Sequence, residues 1–141
     1  MQTSKPPVVA LQERFGEAVM SGNLDAFDEI LTPNFVDHDP APTQGPGPAG
    51  LESFFKEQRT AFRDLKVTPV HAVPTDDHLA IAYTIEGTHN GPLMGIPPTG
   101  KRIKVRGMQI ARYENGKIAE RWGSSDQLGM LEQIGAKITP G

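Results

Sequence analysis

Cysteine is absent from this sequence of 141 residues, and the chain also lacks an excess of basic charge and any long apolar run. Without cysteine there is no disulfide scaffold, no thiolate nucleophile and no thiolate metal ligand. The formal net charge of −3 gives no basic surface field, so we expect no nucleic-acid partner. No segment approaches the ~20 apolar residues of a membrane span or the apolar core of a signal peptide. We therefore expect a soluble, cytoplasmic protein with no membrane partner.

The residues that are present favour one folded domain. A chain of 141 residues matches a single domain, and a hydrophobic content of 37% is enough to form a core. Glycine and proline concentrate in residues 40–50 and 91–100, which we interpret as loops. We predict a single domain over residues 1–141, with its core between about residues 8 and 135.

The first half of the chain has the periodicity of α-helices. Apolar residues recur at helical spacing over residues 8–19, 24–31 and 51–65. Gly22 ends the first of these segments and Thr32-Pro33 ends the second. Gln58 interrupts the apolar stripe of the third helix, so we expect its side chain to face a cavity.

Beyond residue 66 the pattern changes to the alternation of β-strands. A short helix and an Asn-Gly hairpin turn complete the pattern. Three N-terminal helices packed on a curved antiparallel sheet predict an α+β fold shaped as a cone, with an internal pocket and a short C-terminal helix. The predicted strands cover residues 67–73, 78–89, 102–114 and 117–125, the turn is Asn115-Gly116, and the last helix covers residues 127–134.

Familiar catalytic and cofactor motifs fail on their context. Residues 45–50 match the G-x-G-x-x-G spacing of dinucleotide-binding loops, but no strand precedes them and their prolines remove backbone donors. Asp37, His38 and Asp39 could be drawn together as metal ligands, yet the paired-histidine spacing of known sites is absent, so we predict no metal site. A serine hydrolase is excluded because no G-x-S-x-G elbow is present.

The last strand carries the most informative residues. If the strand stays regular to its end, Glu120, Trp122 and Asp126 share one face. A carboxyl group beside an indole in a dry pocket has its charged form disfavoured, which suits it to take and return a proton near neutral pH. Alternatively, Asp126 caps the helix that begins at Gln127. The sequence pattern favours neither interpretation.

Four further polar residues are candidates for substrate binding. Gln109 interrupts an apolar strand face and could donate to a substrate carbonyl, although a buried amide usually satisfies a neighbouring group. His38 could hold or protonate an oxygen, while the plainer interpretation is an exposed loop histidine. Tyr83 and His89 could bind a ligand or serve only in packing.

Several segments together resemble a known family. They are residues 35–40 (FVDHDP), 86–101 (EGTHNGPLMGIPPTGK) and 116–122 (GKIAERW), followed by Asp126 and residues 133–135 (QIG). This set resembles the SnoaL-like polyketide cyclases, also called ester cyclases, of the nuclear-transport-factor-like superfamily. The resemblance extends over nearly the whole chain.

The resemblance implies a reaction and a catalytic residue. Members of the family close a ring by intramolecular aldol condensation of a polyketide ester, with one aspartate as acid/base and without metal or cofactor. It therefore implies no cofactor here, a hydrophobic small-molecule substrate, and Asp126 as the catalytic residue. In such a fold the residues expected to contact the substrate are His38, Gln58, Tyr83, His89, Gln109 and Trp122.

Two other functions remain open at this point. The same superfamily includes ketosteroid isomerases, whose base lies in the loop after the second helix, where this chain has Asp39-Pro40. The acidic partner of that base has no counterpart here, because Gln109 stands on the corresponding strand. A noncatalytic protein that carries or senses hydrophobic small molecules is the third possibility.

An exposed face of an antiparallel sheet is often covered by a second subunit. We therefore expect a homodimer. The basic residues on the outer row of the third strand are either solvated or paired with acidic residues of the partner, and they are Arg102, Lys104, Arg106 and Arg112.

Overall fold

The computed structural model describes residues 5–137, in which helices precede most of the strands. No helix in this range is long and apolar enough to cross a membrane. In chain order the elements are α1 (Pro7–Ser21), a 3₁₀ turn (Leu24–Ala26), α2 (Phe27–Ile30), β1 (Leu31–Asp37), α3 (Gly47–Ala61), β2 (Lys66–Pro74), β3 (His78–Thr88), β4 (Arg102–Glu114), β5 (Lys117–Ser125) and α4 (Gln127–Gln133).

The predicted helix boundaries follow their local signals at the N-terminus. A proline at the start of α1 supplies the fixed φ of a first turn, and Gly22 ends the helix with φ 81° while its N–H donates to the Ala18 carbonyl. The second predicted helix is shorter than expected, because it is divided between the 3₁₀ turn and the four residues of α2. Helix α3 begins earlier than predicted, at Gly47, and ends at Ala61, since Phe62 adopts extended backbone angles.

The sheet is mixed and unclosed, with strand order β1-β5-β4-β3-β2. Strands β2 to β5 pair antiparallel, as predicted, whereas β1 pairs parallel with β5. The sequence pattern predicts no strand before residue 67, so β1 is an addition to the expected sheet. The predicted α+β architecture, with helices on a curved sheet and a short C-terminal helix, is confirmed.

The helices cover one side of the sheet, which we call its inner face. Its residues on β4 are those that the sequence pattern assigns to the apolar row, and Ile103, Val105 and Ala111 are almost fully buried there. A cluster of aromatic rings joins the helices: Phe27 stacks on Phe15 at 5.2 Å between ring centroids. Phe55 packs edge-on against both of these rings, so the cluster joins α1, α2 and α3.

Helix α4 is fastened to the open edge of β4. Strand β5 ends where Ser125 pairs with Gly107, so the backbone of β4 before that point lacks a strand partner on this side. The Gln133 amide replaces one, since its Oε1 accepts from the Lys104 N–H at 2.7 Å and its Nε2 donates to the Lys104 carbonyl at 3.0 Å. This attachment fixes the segment from Ser125 to α4 beside the inner face.

Candidate active site

A cavity of about 410 Å³ lies between the inner face and helices α1 and α3. Most of its wall is apolar, with Phe54 and Phe55 from α3, Leu79 and Ile81 from β3, and Met94 from the loop before β4. The predicted internal pocket is therefore present. Polar side chains gather where β4 and β5 meet α1; we call this region the polar end, and it consists of Gln12, Gln109, Arg121, Ser125 and Gln127.

A β-bulge in β5 decides which residues reach the polar end. Tyr113 pairs with Ile118, and Arg112 pairs with Glu120, so Ala119 has no partner on β4. The extra residue reverses the alternation of the strand from that point on. Arg121 then stands opposite the buried Ala111 on the inner face, and so do Gly123 and Ser125 opposite Gln109 and Gly107.

The same bulge turns Glu120, Trp122 and Ser124 to the opposite side of the sheet, which we call its outer face. There Trp122 stacks on His38, with 4.7 Å between ring centroids and 8° between ring planes. His38 Nε2 lies 3.0 Å from a Glu120 oxygen, and the Arg112 guanidinium, followed by His38, holds the pKa of Glu120 below its ordinary value. The prediction that His38 and Trp122 line the cavity is therefore wrong.

Asp126 lies at the end of β5 and is exposed to solvent. Its Oδ1 accepts a hydrogen bond from the Gly129 N–H at 2.8 Å, which caps α4. The expectation of a buried carboxyl group beside Trp122 is wrong, and the capping alternative is confirmed. Its neighbours Ser125 and Gln127 both belong to the cavity wall, whereas Asp126 itself is not part of that wall. A catalytic role for Asp126 stays a prediction.

Gln58, Tyr83 and Gln109 lie on the cavity wall, where substrate contact is predicted. His89 does not: it is fully buried outside the wall, and its Nδ1 accepts from the Thr99 N–H at 3.2 Å. His89 thus fastens the two ends of the loop that carries Met94 to the cavity. The placement of His89 favours its structural interpretation over ligand binding.

The polar end contains an ion pair between Arg121 and Asp37 that the sequence pattern does not predict. Arg121 Nη1 lies 3.2 Å from each carboxylate oxygen of Asp37, and the exposed fractions of the two side chains are 14% and 5%. Arg121 Nε donates to Gln109 Oε1 at 2.7 Å. The signal available in the sequence is that Arg121 shares its row with the small residues Gly123 and Ser125.

The acidic segment 37–39 sends its side chains in three directions. Asp37 pairs with Arg121, His38 lies on the outer face, and Asp39 Oδ2 accepts from the Gly123 N–H at 2.9 Å. Within residues 5–137, no three histidine or carboxylate side chains group as metal ligands. Asp39 instead lines a polar cleft of about 200 Å³, which shares Phe54, Arg121, Ser125 and Gln127 with the main cavity.

An open sheet with helices over one face and a largely apolar cavity between them defines an α+β protein with an internal cavity of a size that suits a small molecule. The sequence comparison then gives the family. A sequence model of the SnoaL-like polyketide cyclases matches residues 9–134, and the chain belongs to this family.

Relatives with known activities support the same assignment. The chain is 25% identical over 135 residues to aklanonic acid methyl ester cyclase DauD of Streptomyces sp. (strain C5), covering 92% of this chain and 82% of that protein. It is 25% identical over 122 residues to nogalonic acid methyl ester cyclase of Streptomyces nogalater, covering 84% and 90% of the two chains. Among solved structures, TsrD from Streptomyces laurentii superposes with a TM-score of 0.85 at 29% identity, covering 96% of this chain and all of TsrD.

Proposed function

We propose that this protein closes a ring in a hydrophobic carbonyl compound, such as a polyketide ester, by an intramolecular aldol reaction without a cofactor. The observation that carries the proposal is the largely apolar cavity of about 410 Å³, whose one cationic side chain among the described residues, Arg121, stands at the polar end. An apolar wall folds and orients the carbon skeleton, while the polar end aligns one carbonyl group. Family membership supports the cyclase class.

The proposed reaction needs one proton acceptor and no redox step. A carboxylate takes a proton from a methylene flanked by two carbonyls, and the electron pair passes into an enolate. The enolate carbon attacks a second carbonyl carbon of the same molecule, which forms the new carbon–carbon bond and an alkoxide. The alkoxide takes the proton back from the carboxyl group, so the product is an isomer of the substrate.

We assign the acid/base role to Asp126. In the structure its carboxylate caps α4, but the residues on either side of it form part of the cavity wall. An N-cap contributes about 1 kcal/mol to stability, so a bound substrate can draw the carboxylate away from the cap at small cost. The exposure of Asp126 also gives its carboxyl group access to water between turnovers.

The test uses the compounds after which the curated relatives are named, aklanonic acid methyl ester and nogalonic acid methyl ester. We expect at least one of them to disappear with time and to yield a product of identical mass and different chromatographic retention. Heat-denatured protein serves as the control. Retention of either ester on the protein without chemical change would instead favour a noncatalytic carrier.

A proton-transfer isomerase is the second candidate, and the polar cleft favours it. Asp39 lies on that cleft, which adjoins the main cavity through Arg121. This alternative is weaker because Gln109, an amide, stands where an isomerase of this superfamily is expected to use an acid. Hydrogen exchange of a 3-ketosteroid that survives Asp126→Asn and is lost in Asp39→Asn would establish it.

We also propose that two copies associate through their outer faces. Met108 and Ile110 are exposed there by 65% and 47%, at the centre of β4. A two-fold axis through this centre would bury the Met108 and Ile110 side chains of the two copies against each other and leave the charged ends of β4 at the edge of the interface.

The exposed apolar centre of β4 predicts how the association responds to substitution. Met108→Lys combined with Ile110→Lys should convert a dimer into a monomer, because two ammonium groups would be buried without counter-ions. Light scattering coupled to size exclusion measures the mass. A dimer that persists in the double variant, with an unchanged dissociation constant, would contradict the outer face as the interface.

A further inference from the structure

Arg121 is the sole cationic side chain on the cavity wall within the described residues. It also lines the adjoining polar cleft, so the guanidinium stands where the two spaces meet. An arginine on a largely apolar wall is costly to bury, so its position calls for a functional explanation.

The guanidinium is held in place from several sides. Nη1 faces both oxygens of Asp37, and Nε donates to Gln109. Gly123 lies beside it, and a Cβ atom there would come within 2.6 Å of Nη2 and 2.8 Å of Cζ, so a larger residue would displace the guanidinium from this position. Among residues 5–137 no hydrogen bond is formed by Nη2, which leaves these donors for a bound molecule.

A chain of hydrogen bonds orients Gln109 toward Arg121. Gln109 Nε2 donates to Gln12 Oε1 at 3.3 Å, and the Tyr113 hydroxyl donates to the same oxygen at 3.1 Å. Burial raises the pKa of Tyr113 far above its ordinary value, so the hydroxyl keeps its proton. With its amide nitrogen directed to Gln12, Gln109 presents its oxygen to Arg121 and fixes the direction of the guanidinium.

We infer that Arg121 is the catalytic residue that stabilises the enolate oxygen, with Asp37 and Gln109 as its positioning residues. This inference rests on the proposed function. When a carboxylate removes the proton between two carbonyls, negative charge develops on a carbonyl oxygen, which then accepts a hydrogen bond from Nη2. The proton of Arg121 stays on nitrogen throughout. Because Asp37 and Gln109 fix the guanidinium before the reaction, its Nη2 donor favours the charge-bearing state without reorganisation.

The acidic diketone 1-phenylbutane-1,3-dione is a probe of this role that requires no turnover. Its neutral and enolate forms differ in ultraviolet absorbance, so the pKa of the bound diketone can be titrated directly. We expect wild-type protein to lower this pKa by about one unit relative to the free compound, the lower end of what a nearby guanidinium does for a carboxyl group, because Asp37 offsets part of the charge. Arg121→Gln should abolish the shift.

Two further variants keep the result interpretable. Asp37→Asn combined with Arg121→Gln removes both charges, so it leaves no buried lone carboxylate and should fold where Arg121→Gln alone does not. Arg63→Gln removes an exposed arginine that lies outside the cavity wall and should keep the full shift. Binding with an unshifted pKa in the wild type, or a shift that persists without Arg121, overturns the inference but leaves the proposed function standing. Failure of the diketone to bind at all also overturns the inference, while the proposed function is decided separately by turnover of the two methyl esters.

Discussion

Asp126→Asn is expected to lower the rate of ring closure by about 10²- to 10⁴-fold, the usual contribution of a general acid/base group. The thermal midpoint should stay nearly unchanged, because asparagine caps a helix about as well as aspartate and can accept the Gly129 N–H. The substitution therefore separates the capping role of Asp126, which the structure shows, from its catalytic role, which we propose. Rates of product formation and a thermal melt of the same preparation measure them.

Asp39→Asn is the matched control for that experiment. Asp39 is also an exposed carboxylate near the cavity, and it also accepts one backbone hydrogen bond, from Gly123. We expect this variant to retain most of the ring-closing activity. Full activity in Asp126→Asn would show that Asp126 acts only as a helix cap. Loss of activity in Asp39→Asn alone would show that the proton acceptor is Asp39, in the polar cleft.

Regular alternation explains why the inner face of β4 could be predicted. Residues 102–114 alternate without interruption, and the pairing with β3 keeps one register along the whole strand, so Gln109 lies on the cavity wall as expected. The hairpin turn can be predicted equally well, because Asn-Gly is the preferred pair for a turn in which both residues have positive φ; Asn115 and Gly116 adopt 51° and 76°. In both cases the local sequence is sufficient to predict the structure.

The same reasoning fails in β5 because its register depends on an unpaired residue. Nothing in the sequence from Lys117 to Ser125 identifies Ala119 as a bulge, and one extra residue moves Trp122 from the predicted inner row to the outer face. The same extra residue places Arg121, which regular alternation assigns to the outer face, on the inner face at the polar end. The sequence pattern does not predict strand β1 for a related reason. Its parallel pairing with β5 joins segments that are far apart in the chain.

The bulge also explains how a charged pair enters an apolar cavity. Parallel pairing places Asp37 directly opposite Arg121, and the reversed alternation points Arg121 inward. Each departure from a regular antiparallel sheet is thus needed to build the polar end. Departures from local sequence rules tend to coincide with functional sites, and this sheet is an instance.

Gly107→Ala is expected to destabilise the protein by about 1 to 3 kcal/mol, as overpacking of a well-filled site does. Gly107 pairs with Tyr83 across β3 and β4, and an added Cβ would lie 2.3 Å from Cε2 and 2.5 Å from Cζ of the tyrosine ring. The ring cannot move through the sheet, so it has to move into the cavity whose wall it forms. Urea unfolding measures the free energy of unfolding, and titration with 1-phenylbutane-1,3-dione should show an affinity at least about tenfold weaker, corresponding to ~1.4 kcal/mol.

Removing the ring should reverse the sign of this effect. In a Tyr83→Ala background the added methyl group meets no aromatic atoms, and alanine in place of glycine inside a strand stabilises by roughly 0.5 to 1 kcal/mol. A double-mutant cycle gives the coupling energy between the two positions directly. If Gly107→Ala destabilises equally with and without the ring, the close approach of Tyr83 is not the reason that glycine stands there, and the volume of the cavity is set by other residues.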